Sequence, residues 1–178
     1  MTDTAAHPDP APQAPTASFA DLTCAAALRV PLEAGDRDGA IAELLRSLCD
    51  GGCVPADHHD RLLTAILDRE RSGSTGFGKG VAVPHVKTDA IDAPVAAVGV
   101  RPDGLDFNAL DHRPVRCVVL LVSPVGEPQQ HLTAMELIFN HLQDDSFREL
   151  LSTATDPAEA RALLKRGIAA DVADATEA

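Results

Sequence analysis

The chain has no tryptophan and no tyrosine, and aromatic residues make up only 3% of it. Surfaces that grip single-stranded nucleic acid stack bases on aromatic rings, so this composition argues against one. Positive charge is also scarce: 15 Lys and Arg stand against 27 Asp and Glu, a formal net charge of -12. Duplex binding needs a basic footprint to displace counterions from phosphates, and adhesion to an anionic bilayer needs one too. Neither fits, and the negative charge reads as solubility. No apolar run approaches the roughly 20 residues that cross a bilayer, so direct membrane insertion is not expected. The opening stretch MTDTAAHPDPAPQAPTAS has no basic start and no apolar centre, and does not read as a secretory leader. The expected compartment is the cytoplasm. Cysteine is sparse and carries no Cys-x-x-Cys pair among Cys24, Cys49, Cys53 and Cys117. Cys49 and Cys53 lie four apart near an expected helix end, where they can face each other. In a chain read without a leader, buried free thiols are expected in preference to a disulfide framework.

The length, 178 residues, favours one domain plus tails, with a core of Leu, Val, Ile and Ala and five Phe. Residues 1–18, rich in Pro, Ala, Thr and Asp, read as a disordered N-terminal arm; residues 19–168 read as the domain, and 169–178 as a tail. Within the domain, Ala27 to Leu32 reads as a strand. Asp36 caps a helix through Ile41, Leu44 and Leu48 that Gly51-Gly52 stops. A second helix fits Asp57 to Arg71. Three β-branched runs follow, Val81–Val83, Val95–Val100 and Arg116–Val122, the last apolar on both faces and so a central strand. Pro128 opens another helix, and Asp156-Pro157-Ala158-Glu159 reads as a capping box that starts a last one, to about Arg166. Strands alternating with helices on an apolar sheet make an α/β domain.

Between the second helix and Val81, the stretch SGSTGFGKG interrupts regular structure. Its glycines allow close approach of backbone amides to an anion. It is not a Walker loop, because Lys79 is followed by Gly80, and it does not open a helix as a dinucleotide loop does. A bare glycine loop is more often a tight connection. His85 follows Val81-Ala82-Val83-Pro84, and a lone histidine at a strand end is usually structural or solvated. Thr75 has an ordinary reading as a turn residue, and Arg69 as a surface ion-pair partner. His58 and His59 beside Asp57 and Asp60 lack any recognised ligand spacing, so no metal site and no cofactor are expected. Without Gly-x-Ser-x-Gly or a similar nucleophile motif, a hydrolase with His85 as base is disfavoured.

Two separated segments change the odds for His85. Arg69-Glu70, a spacer, Thr75-Gly76, then Gly78, Gly80-Val81-Ala82, Pro84-His85 resembles the signature of the mannitol/fructose-type IIA domains of the bacterial phosphoenolpyruvate-dependent phosphotransferase system. That class includes the stand-alone nitrogen-type regulators. Downstream, DFNALDHRPVRCVVLLVSP and EPQQHLTAMELIFNHLQDDSFRELL resemble the family's central strand and following helices, so the likeness runs from Phe19 to Arg166. With the pattern above, it implies a single α/β domain with a small mixed β-sheet flanked by helices. It also implies an enzyme of the phosphotransferase system, acting by histidine phosphoryl transfer. His85 aligns with the histidine that takes phosphate from the phosphocarrier HPr and passes it to a IIB partner. His131 aligns with a second histidine beside that ring, Arg69 with the arginine before the loop, and Thr75 with the loop threonine. The alternative is a regulatory module that binds a target protein and is switched by phosphorylation at His85. Phe77 stands where the family often has a smaller aliphatic residue.

The chemistry agrees with the alignment. Imidazole titrates near neutrality, so a ring nitrogen lone pair is available in the cell, provided the other nitrogen is held as a donor, for instance to a backbone carbonyl. Phosphoryl transfer is mostly positioning and electrostatics, and His131, Arg69 and loop amides are suitable donors to the moving oxygens. His131 also falls in the first turn of the helix after Pro128, where the dipole favours an anion.

Overall fold

The computed structural model describes residues 18–166, so the expected arm and tail lie outside the described residues, apart from Ser18. Ser18 belongs to the fold: its hydroxyl and the Asp21 carboxylate form a reciprocal capping box that starts α1 (Phe19–Leu22). Then come β1 (Thr23–Arg29), α2 (Arg37–Asp50), a short 3-10 turn (Ala56–His58), α3 (His59–Ser72) and β2 (Gly76–Gly78). The chain continues through β3 (Val81–Ala82), β4 (His85–Thr88), β5 (Val95–Leu105), β6 (Val115–Pro124), α4 (Pro128–Gln143), α5 (Asp145–Ser152) and α6 (Pro157–Arg166). Among the described residues, no helix is long and apolar enough to cross a membrane.

The sheet is mixed, in the order β1-β5-β6-β3-β2, with β4 also paired to β6. β6 is its axis. β5 runs antiparallel along one edge of it, from Val95 opposite Val122 to Leu105 opposite Val115. The other edge is shared by two short parallel strands, β3 beside Cys117 and Val118, and β4 beside Leu121 to Pro124. The doubly apolar run of β6 is buried on both faces. Val119 and Leu121 meet Ile138, Phe147 and Leu164 on the side of α1, α4, α5 and α6, whereas Val118 and Leu120 meet Leu44 and Ile66 of α2 and α3.

The helix signals act where the sequence places them. Asp36 accepts from the Gly39 amide at 2.8 Å, and α2 ends at Gly51, followed by Gly52 at φ 68°. Pro128 is the first residue of α4. Asp156 accepts from the amides of Ala158 and Glu159, but the Glu159 carboxylate reaches back to Thr155, one residue before the expected cap.

Three expectations change. The first strand begins at Thr23, earlier than expected, because pairing with β5 extends back to Ala96. The glycine stretch is not wholly irregular: β2 and β3 form a hairpin closed by Lys79-Gly80, at φ 58° and 76°. Two positive φ values at a two-residue turn are the backbone of the hairpin turn whose twist matches its strands. Finally, Cys24 and Cys53 are disulfide-bonded, their Cα atoms 6.6 Å apart, while Cys49 and Cys117 are free thiols. Packing of α2 on β1 brings the pair together, and Gly51 makes room for it. A Cβ there would lie 3.0 Å from the Cys24 sulfur and 2.8 Å from Ala26. Cys117 does match the expectation of a buried free thiol, and burial pushes its pKa up to about 12.

Leu120 is fully buried at the centre of the sheet, so Leu120→Ala should lower unfolding free energy by about 3 kcal/mol. Leu110→Ala, at a side chain 75% exposed, should change it by less than about 0.5 kcal/mol; urea unfolding of both variants checks the contrast. The disulfide spans 29 residues, so its reduction should cost about 3–4 kcal/mol by the chain-entropy account, read as a lower urea midpoint in reducing buffer that Cys53→Ser reproduces without reductant.

Candidate active site around His85

The edge that β3 and β4 share is broken once, at Val83-Pro84. Proline has no amide to give to the ladder, but its carbonyl accepts the Leu121 amide at 3.0 Å, and pairing resumes with His85 opposite Leu121. His85 therefore lies inside the sheet as the first residue of β4. Side chains alternate along this edge, with Val81 and Val83 buried in the cluster under α4. His85 and Lys87 continue the same face, in register with Leu121 and Ser123. Over that face α4 begins, and its first turn delivers His131. The two rings sit 5.8 Å apart at 47°.

Each ring is anchored through Nδ1. His85 Nδ1 lies 3.0 Å from the Val83 carbonyl oxygen. A carbonyl only accepts, so Nδ1 carries the proton and Nε2 keeps its lone pair. The His85 side chain is half-buried and reaches solvent. His131 is buried, with Nδ1 3.0 Å from the Ser123 hydroxyl oxygen. Burial lowers its pKa below the ordinary histidine value, and the charges of Lys87 and His85 push the same way. The arrangement is an accessible nitrogen nucleophile beside a neutral ring.

Arg69 and Thr75 reach this pair indirectly. Among the described residues neither hydrogen-bonds to either ring. The Arg69 guanidinium donates to the Gly73 carbonyl at 2.9 Å and so ties off the end of α3. The Thr75 carbonyl accepts the Val83 amide at 3.2 Å, one residue from the peptide that holds His85. Thr75 itself is gripped by Glu70, which is buried: one carboxylate oxygen takes the Thr75 amide and the other its hydroxyl, both at 2.8 Å. The expected loop-amide donors are mostly spoken for. Gly76 N–H donates to Ser74 within the loop and Lys79 N–H to Asp111 of the segment between β5 and β6, so these amides are already satisfied. Close packing accounts for Gly76, where a Cβ would lie 2.9 Å from that of Ala109.

Glu70 stood beside Arg69 in the family-like signature without a role of its own, and Ser123 was not singled out from the sequence. Ser123 is the one hydroxyl in the run Val115–Val125, and its period-two spacing from Leu121 was the available signal. For Glu70 the signal was its place in that signature, since a carboxylate near a helix end is otherwise ordinary. The other histidines sit elsewhere. His141 is buried between Phe19 and Phe147, with Nδ1 2.8 Å from the Leu137 carbonyl. His112 occupies a turn at φ 57°, and His58 and His59 contact Arg61 and Asp60. Among the described residues, no group of three or more His, Cys, Asp or Glu is placed to hold a metal ion.

The family model described as "Phosphoenolpyruvate-dependent sugar phosphotransferase system, EIIA 2" matches residues 25–167. The fructose-specific EIIA component of Haloferax volcanii is 35% identical over 118 residues, which are 66% of this chain and 75% of that protein. A nitrogen regulatory protein of Pseudomonas aeruginosa is 35% identical over 89 residues, 50% of this chain and 58% of that one. In three dimensions the nitrogen regulatory protein IIA-Ntr of Neisseria meningitidis superposes with a TM-score of 0.72 at 24% identity, covering 82% of this chain and 98% of that chain, a likeness of fold. With the matched segment running from within β1 through α6 and taking in His85 and His131, this chain belongs to the EIIA 2 family of the phosphoenolpyruvate-dependent sugar phosphotransferase system.

Proposed function

We propose that this protein is a cytoplasmic phosphoryl carrier that accepts a phosphoryl group on His85 Nε2 from an HPr-type phosphocarrier and passes it to a IIB partner. The observation that carries the reading is the pairing of the two rings, one with Nδ1 on a carbonyl and the other buried and neutral beside it. In the forward step the Nε2 lone pair forms a bond to phosphorus as the donor's P–N bond breaks, and that electron pair returns to the donor's ring. The proton stays on Nδ1 throughout, donated to the Val83 carbonyl. As Nε2 becomes positive, the adjacent oxygen dipole stabilises the ring. His131 acts on the phosphoryl oxygens. Thr75 and Arg69 act through the loop that sets the Val83 peptide, with Glu70 holding Thr75.

Nitrogen regulatory relatives support a second reading, in which the phosphorylated and free forms bind different target proteins and no sugar is moved. Transfer to a IIB protein separates the two: rapid loss of the label favours the carrier, a long-lived phospho-form with a bound target favours the regulator.

Incubation with phosphoenolpyruvate, enzyme I and HPr should add one acid-labile phosphoryl group to the wild type and none to His85→Ala, read by intact mass. His131→Ala should still be labelled, but on the order of 100-fold more slowly, the usual loss of one donor to a charged transition state. An unlabelled wild type alongside a fully charged donor overturns the carrier reading. The downshifted His131 also predicts a pH effect. The unfolded chain takes up a proton at about pH 6.5 while folded His131 resists it, so its stabilising contribution is complete above that pH and is lost as pH falls through the folded value. The urea midpoint should therefore drop between pH 7 and pH 5 in the wild type, and drop less in His131→Gln.

A further inference from the structure

We propose that Ser123 is a positioning residue that sets the tautomer of His131, so that the site presents a lone pair from His85 and an N–H donor from His131. The inference deepens the carrier reading and rests on it. Ser123 is fully buried on β6, and its hydroxyl oxygen lies 3.0 Å from His131 Nδ1. Among the described residues it makes no other hydrogen bond. A serine hydroxyl has one proton to give, whereas Nδ1 of a neutral imidazole gives or accepts according to tautomer. With the proton on Nδ1, the Ser123 hydroxyl would accept it and leave its own hydrogen buried without an acceptor. An unsatisfied buried donor costs more than an unmade hydrogen bond gains. The arrangement that satisfies both groups has the hydroxyl donating to Nδ1, with the ring proton on Nε2.

The anchors of the two rings are thus opposite in kind. The Val83 carbonyl can only accept, and fixes Nδ1–H on His85. The Ser123 hydroxyl must donate, and fixes Nε2–H on His131. Were both rings in the same tautomer, two lone pairs or two N–H groups would face the site, and the phosphoryl oxygens would lose either their donor or their nucleophile. Lys87, in register with Ser123 on the next strand, adds positive charge near His131 and favours its neutral form. Ser123 acts only through His131.

The test is 15N NMR of the imidazole nitrogens in the full unphosphorylated chain. The wild type should show His131 protonated at Nε2 and unprotonated at Nδ1, with His85 the reverse. Ser123→Ala should give a mixed His131 tautomer, and labelling by phospho-HPr about tenfold slower, the size of one misdirected hydrogen bond. Ser123→Thr, which keeps the hydroxyl, should restore both. A proton on His131 Nδ1 in the wild type overturns the proposal, as does a tautomer ratio unchanged in Ser123→Ala. The spectra need no phosphoryl donor, so failure of the wild type to become labelled sinks the carrier reading separately and leaves the tautomer assignment to the spectra.

Discussion

β6 has no free edge and no wet face, and the positions of both site histidines follow from that. A strand hydrogen-bonded on both sides and buried on both has one register, because a shift of one residue would exchange its two apolar faces and misplace every partner. β5 occupies one edge along its whole length, so the chain between α3 and β5 has only the other edge to use. It uses that edge twice, with a proline at the join. His85 therefore takes its place from the ladder. His131 takes its place from α4, which follows directly from the end of β6 and packs back over the same face.

Electrostatics at this place depend on little charge. Among the described residues the groups that hydrogen-bond to the rings are a carbonyl and a hydroxyl, while formal charge is at the exposed Lys87. Neutral anchors suit the proposed role, in which the His85 ring receives a dianion and releases it. A full positive charge in direct contact would hold the phosphoryl oxygens more tightly and slow their departure. The buried Glu70 carboxylate, meanwhile, is spent on Thr75 and holds the loop.

Much of the fold was legible in the sequence where one element's own pattern decides its state. α2, α3 and α4 have periodic runs with caps or stops and β6 a short run apolar on both faces, and each lies within a few residues of where the pattern puts it, while β5 starts at Val95 as expected and runs on past Val100 to Leu105. β2 and β4 were not legible. Three and four residues long, rich in Gly, His and Lys, they are strands only because β3 and β6 offer them hydrogen bonds. The Cys24–Cys53 bond escaped for a similar reason, since nothing local joins residues 29 apart, and the spacing drew attention to Cys49 instead. Of the site, His85 and His131 were legible through family likeness. The partners that orient them, a backbone carbonyl and a buried hydroxyl, have no one-dimensional signal. Arg69 was named as a donor and Thr75 aligned with the loop threonine; in the structure Arg69 donates to the Gly73 carbonyl and the Thr75 hydroxyl to Glu70 of α3.

The break at Val83-Pro84 also bears on which length changes this chain can accept. The two-residue turn at Lys79-Gly80 starts a count that alternates sides through Val81, Ala82 and Val83 and reaches His85 on the α4 face. With β3 held in register, inserting or deleting one residue between Val81 and His85 slips β4 by one residue along β6 and turns the imidazole toward α2 and α3, away from Ser123 and His131. Surface hairpins are normally where chains tolerate such changes. Here the hairpin acts as a ruler for a residue five positions beyond its turn, so parity, more than side-chain identity, is what variation in this segment has to preserve.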